Sequence, residues 1–134
     1  MKQITITPNG LTSNSKELIS EVKKKKIKLK YSNHSEIIPF EKIVRLEGDC
    51  NYTIVYTESK KYVSSRTLKH YEGILDNAFF VRVHKSHIVN MSFMKSIGVQ
   101  ESYNEVVLEE GKSIEVSRRK LKEIVEKFDT YNNS

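Results

Sequence analysis

Apolar and polar residues along this chain alternate mostly with the period of two that marks a pleated strand, and two stretches switch to helical spacing. Ile27, Leu29 and Tyr31 alternate with Lys26, Lys28 and Lys30, which predicts a half-buried edge strand whose lysines discourage further pairing. Asn33-His34-Ser35 reads as a turn, Glu36–Phe40 as a short strand that Pro39 ends, and Ile43–Glu47 as a third strand. Gly48-Asp49-Cys50-Asn51 is a loop. Tyr52–Thr57, YTIVYT, is rich in β-branched and aromatic residues and is the clearest strand of all. Glu58–Lys61 turns the chain into Tyr62-Val63-Ser64. Ser64 or Ser65 then caps a helix over Arg66–Leu75, with Leu68, Tyr71 and Leu75 inward, and Asp76-Asn77 closes it.

In FFVRVHKSHIVN, Phe79, Val81 and Val83 alternate with Phe80, Arg82 and His84. A polar tetrad, His84-Lys85-Ser86-His87, breaks that strand before Ile88-Val89-Asn90 resumes it. Met91-Ser92-Phe93 is a short turn that Asn90 is placed to cap. Met94–Val99 and Tyr103–Leu108 are strands. Glu110-Gly111 before Ser113–Val116 is a hairpin signal. Ser117 caps a last helix, Arg118–Phe128, whose Leu121, Ile124, Val125 and Phe128 fall on one face. The tail from residue 129 to 134 is polar and reads as loose. Ahead of all this, residues 1–26 read as an arm, with a short strand at Ile4–Thr7 and a helix through Lys16–Lys24 that carries a narrow stripe of Leu18, Ile19 and Val22. The elements together predict a mainly β fold with short helices, in the α+β class.

Charge changes the picture in one place. The net +6 lies entirely in residues 1–31, which hold eight lysines against Glu17 and Glu21; the remainder balances at 15 basic and 15 acidic groups. The body of the protein therefore meets an anion only through a local patch, and a pI of 9.3 overstates its basicity. Lys23–Lys26 are either a solvated helix end or an arm that touches phosphates. No stretch approaches the ~20 apolar residues of a membrane span, and the N-terminus lacks an apolar signal region. With the single Cys50 unable to form an internal disulfide, a reducing cytoplasm is expected.

The candidate chemistry sits in two clusters of hydrogen-bond donors. Arg82, His84, Lys85 and Ser86 cluster where a strand ends, and Ser117-Arg118-Arg119-Lys120 where a helix begins. Donors of this kind suit phosphates and base edges, although Arg82 and Lys85 also fit ordinary solvated strand ends. His84 and His87, with His34 and His70, raise the question of a metal, but three converging ligands are not evident and Cys50 has no cysteine partner. No metal and no cofactor are expected. P-loop, Gly-rich, GxSxG and HExxH signatures are all missing, so no enzyme is expected either.

The ordered set IVRLEGDCNYTIVYT, SSRTLKHYEGIL, FFVRVHKSHIVNMSFMKSI and EEGKSIEVSRRKLKEI resembles the LytTR domain, the DNA-binding module of a class of bacterial transcription regulators. The likeness covers residues 27–128 and divides the chain into a basic arm at 1–26, the domain, and a tail at 129–134. It implies an elongated fold of small antiparallel β-sheets, with loops from one side entering successive major grooves of double-stranded DNA. Carried over residue by residue, base-reading positions fall at Asp49, Asn51 and Tyr52, at His84, Lys85 and Ser86, and at Ser117 and Arg119 with Arg118 and Lys120 beside them. Arginine and lysine suit guanine O6 and N7 there, and asparagine suits adenine N6 and N7. The likeness further implies binding to promoter direct repeats, a homodimer on DNA, and restraint by a small membrane protein. No receiver domain fits ahead of the module, so phosphorelay input on this chain is not expected. The alternative is a protein-interaction module or antagonist of the same fold that has lost DNA binding.

Overall fold

The computed structural model describes residues 25–31 and 34–133. The expected strand at Ile4–Thr7 and helix at 16–24 lie outside these residues. Among the described residues ten strands and two helices occur in chain order: β1 (Lys26–Tyr31), β2 (His34–Pro39), β3 (Ile43–Asp49), β4 (Tyr52–Thr57), β5 (Lys61–Ser64), α1 (Leu68–Ile74), β6 (Phe80–His84), β7 (His87–Asn90), β8 (Met94–Val99), β9 (Asn104–Leu108), β10 (Ser113–Val116) and α2 (Leu121–Asn132). Short 3-10 turns at Phe40–Lys42, Met91–Phe93 and Arg118–Lys120 link them.

Among the described residues every strand pairing is antiparallel. A five-stranded sheet, ordered β5-β4-β3-β7-β6, stands between a two-stranded sheet of β1 and β2 and a three-stranded sheet ordered β10-β9-β8. The central sheet is covered on both faces. On one, Leu46, Val55, Phe80 and Ile88 pack with Ile27, Leu29 and Ile38 of the small sheet and with Leu68 and Tyr71 of α1. On the other, Val44, Val81, Val83 and Val89 pack with Val106, Leu108, Ile114 and Val116 and with Ile124 of α2. This explains why Phe80, expected on the polar side of its strand, is buried alongside Val81: both faces of β6 meet apolar neighbours.

Asn90 joins the two halves. Its side-chain amide donates to the carbonyls of Phe40 (3.3 Å) and Ile43 (2.8 Å), and its Oδ1 accepts from the N–H (2.9 Å) and the hydroxyl (2.8 Å) of Ser92. The capping role expected from sequence is therefore observed, together with a cross-chain role that was not expected. Gly48 lets β3 pass beneath α1: a Cβ there would lie 3.3 Å from Cβ of Leu68. Gly111 takes φ 98° in the β9–β10 turn, as the hairpin signal required.

Several boundaries differ from the sequence reading. His34 and Ser35 open β2 rather than forming a turn, with His34 opposite Tyr31. α1 begins at Leu68, capped by Thr67, whose Oγ1 accepts from the His70 N–H (3.2 Å). Ser64 cannot cap it, because its buried hydroxyl is shared by the Tyr71 hydroxyl (2.5 Å) and the Arg66 N–H (3.1 Å). Phe79 stays outside β6 and sets its ring edge-on to Tyr131, 6.2 Å between centroids. That contact draws the supposedly loose tail into α2, which runs to Asn132. On α2, Ile124 is fully buried but Val125 is 43% exposed, so the apolar stripe is narrower than its spacing suggested.

Candidate nucleic-acid interface

β3 and β4 meet in a two-residue turn, Cys50-Asn51, with Cys50 in the left-handed region at φ 57°. Asp49 and Tyr52 face each other across it, and Tyr52 is 53% exposed. β6 and β7 meet in an equally tight turn, Lys85-Ser86, between the paired His84 and His87. Here the Ser86 N–H bonds Nδ1 of His84 (3.1 Å). The third loop runs from β10 through Ser117 into the 3-10 turn Arg118–Lys120.

Two backbone hydrogen bonds bring these loops together. The N–H of Gly48 reaches the carbonyl of Ser86 (2.8 Å), and the N–H of Ser117 reaches the carbonyl of Val83 (2.8 Å). The first follows from the β3–β7 pairing, in which Glu47 stands opposite His87 and both turns leave from the same end of the sheet. The second ties the three-stranded sheet to β6. Asp49, Asn51, Tyr52, Lys85, Ser86 and Arg118 thus share one end of the molecule.

The remaining predicted positions are arranged differently. Ser117 makes no side-chain cap, because the turn after it is 3-10 and its carbonyl, not its hydroxyl, takes the Lys120 N–H (2.9 Å). Three residues per turn fan the basic residues apart. Arg118 lines a cleft with His84, whereas Lys120 lines a separate one with Glu72, Arg82 and Glu123. The Arg82 guanidinium is engaged within the protein by Glu72 and by the carbonyls of His84 and Lys85.

One element was missed. The β8–β9 turn, Gln100–Tyr103, closed by a Gln100 N–H to Tyr103 carbonyl bond (2.9 Å), forms the far wall of the Arg118 cleft. Tyr103, placed in a strand by its spacing, is outside it and 48% exposed. Its polar, exposed Gln100-Glu101-Ser102 run was the available signal.

Beneath the first two turns lies a charged cluster. The buried Arg45 guanidinium stacks 3.7 Å from the centre of the Tyr56 ring and donates to Oε1 of Glu47 (3.0 Å). Burial pushes the Glu47 carboxyl up, but the Arg45 hydrogen bond and the charges of His87 and Arg45 outweigh it and hold the group below its ordinary value. Burial pushes the neighbouring His87 imidazole down; Arg45 and His84 add to this, while Glu47 and Glu115 oppose it. Nδ1 of His87 is buried without a hydrogen-bond partner among the described residues.

A depressed histidine pKa means that the unfolded chain binds the proton more tightly. The neutral imidazole therefore contributes stability above about pH 6.5, and this is lost as the pH falls through the lower folded value. Glu47 acts in the same direction in a more acidic window, below its ordinary 4.5. Urea midpoints should fall between about pH 7 and about pH 5, and His87→Gln should flatten that slope. An unchanged slope in the variant would assign the acid sensitivity elsewhere.

Among the described residues no three His, Cys, Asp or Glu side chains converge as a metal site, and no helix is long and apolar enough to cross a membrane.

Comparison with known proteins gives concordant matches. A family model for the LytTr DNA-binding domain matches residues 33–129. The heme-containing CO-sensing transcriptional regulator RcoM 1 of Paraburkholderia xenovorans (strain LB400) is 30% identical over 125 residues, covering 92% of this chain and 46% of that protein. The transcriptional regulatory protein LytR of Staphylococcus aureus (strain MW2) is 32% identical over 72 residues, covering 53% of this chain and 29% of that protein. This chain thus spans less than half the length of either regulator. Among solved structures, a LytTr DNA-binding domain from Bacillus cereus superposes with a TM-score of 0.68 at 25% identity, over 77% of this chain and 95% of that one.

Proposed function

Since the chain belongs to the LytTR family of DNA-binding domains, we propose that it is a cytoplasmic transcription regulator that reads double-stranded DNA sequence-specifically. The observation that carries this reading is the meeting of three separately predicted loops at one end of the molecule, joined by the Gly48–Ser86 and Ser117–Val83 bonds. Asn51, Tyr52, Lys85, Ser86, Arg118 and Arg119 supply donors for base edges and phosphates, and Asp49 can accept from cytosine N4. The DNA-binding unit is the 27–128 stretch expected from sequence, extended to the ends of β1 and α2 at Lys26 and Asn132. Two copies occupy direct repeats, and a small membrane protein is the kind of inhibitor the family implies. Selection of duplexes from a randomised pool tests the reading: one enriched sequence is expected, and no enrichment would overturn it.

The basic arm adds to this through charge. Because the domain is neutral over residues 32–134, long-range attraction to DNA falls to the lysines before it. A chain starting at Lys25, which keeps β1 and the Lys25 carbonyl that accepts the Phe40 N–H (2.8 Å), should keep its sequence preference yet bind every duplex more weakly. Its salt dependence should be shallower by about 0.9 log units per log unit of salt for each phosphate that the arm neutralises in the full chain. Titration of both chains against selected and scrambled duplexes at several salt concentrations checks this, and an unchanged slope would make the arm a packing element.

A further inference from the structure

The proposed interface contains an arginine that faces the wrong way to read DNA. Arg82 carries the donors that suit guanine, and it lies three residues before Lys85. Its guanidinium is already committed within the protein. Nε donates to the carbonyl of His84 (3.3 Å), one terminal nitrogen donates to the carbonyl of Lys85, and the other donates to Oε1 of Glu72 (2.7 Å). The side chain is only 21% exposed. A guanidinium has a fixed fork, so turning it to a base edge would leave two turn carbonyls unpaired and break an ion pair.

Those two carbonyls belong to the residues on which the second loop pivots. The strand register also shifts here, between Arg82 and His84, so the ladder does not by itself fix the turn. Further bonds hold it: Arg82 to His84 and Lys85, Ser86 N–H to His84, and Gly48 N–H to Ser86. Glu72, on α1, orients the guanidinium from behind. The geometry points to Arg82 and Glu72 as positioning residues, which act on DNA through the placement of Lys85 and Ser86 and not by contact. This rests on the reading of the interface given above.

The sign of the Glu72 effect makes the inference testable. Glu72→Gln removes a negative charge from a DNA-binding protein, so electrostatics alone would tighten binding to every duplex. Loss of positioning has the opposite consequence. The probe is the duplex that the wild-type chain selects from a randomised pool, with a scrambled duplex beside it. Glu72→Gln is expected to lower the selected-to-scrambled affinity ratio by roughly three- to tenfold, within the range of indirect coupling effects. Arg82→Lys, which keeps the charge and loses the fork, should do the same. In a Lys85→Ala background, Glu72→Gln should lower the ratio by clearly less than it does in the wild-type chain, because one of the two side chains it positions is gone.

Unchanged or tighter selective binding by Glu72→Gln overturns the inference. So does an equal loss on selected and scrambled duplexes, which marks general damage to the fold, and so does a full additional loss in the Lys85→Ala background. If Arg82→Lys weakens selective binding while Glu72→Gln strengthens it, Arg82 reads DNA directly. A wild-type chain that selects no sequence overturns the functional reading first, and the inference falls with it.

Discussion

Asn90→Ala should destabilise the protein by about 2–4 kcal/mol, the cost of leaving buried polar groups unpaired. The residue is 2% exposed, and its amide is shared by four groups. Truncation strips the Phe40 and Ile43 carbonyls of a donor in a buried place, and frees the Met91–Phe93 turn. Asn90→Asp should be no better, since a carboxylate would face those two carbonyls. Urea unfolding measures the loss. A change below about 0.5 kcal/mol, the scatter of ordinary surface substitutions, would show that the Phe40–Ile43 segment is held by packing alone.

Lys85→Ala and Arg119→Ala should each weaken binding to the selected duplex by about 1–3 kcal/mol, the discrimination typical of a good base contact. Both side chains are exposed, and their turns are anchored by backbone bonds that the substitutions leave intact. The two losses should fall on different base pairs, because the residues stand on separate loops. The fold should be untouched, which thermal unfolding can verify. Equal affinity of variant and wild type in a gel-shift titration would remove the residue from the reading surface.

Much of the architecture is legible in the sequence where local preference and burial agree. YTIVYT is a strand by local preference and a strand in the sheet, from Tyr52 to Thr57. Met94–Val99 likewise has the expected limits. Failures occur where a distant residue decides. Ser64 is a good cap on local grounds, but Tyr71 claims its hydroxyl. Phe79 reads as strand until Tyr131, far along the chain, offers it an aromatic partner. For the interface, loop membership was legible and side-chain direction was not. Arg82 reads as a free donor because Glu72 is ten residues away in another element. The basic run Arg118–Lys120 reads as one patch until its 3-10 geometry turns Arg118 and Lys120 into different clefts.

The connectivity of the sheets has a kinetic consequence. β1 with β2, β3 with β4, β4 with β5, β6 with β7, β8 with β9 and β9 with β10 are all neighbours in sequence, and such hairpins close in about 1–10 μs. The β3–β7 ladder is the exception among the described residues, setting Arg45 against Val89 and Leu46 against Ile88. Bringing those strands together requires a long loop to close before any bond rewards it, so this step should limit the rate. Leu46→Ala and Val89→Ala should therefore slow folding itself, with high φ-values, while Ile114→Ala at the outer hairpin should act mainly by speeding unfolding. Stopped-flow chevrons with uniformly low φ across β3 and β7 would place the nucleus elsewhere. On this view the Gly48–Ser86 bond forms at the end of that ladder, and the surface proposed to meet DNA is assembled by the same event that commits the chain to its fold.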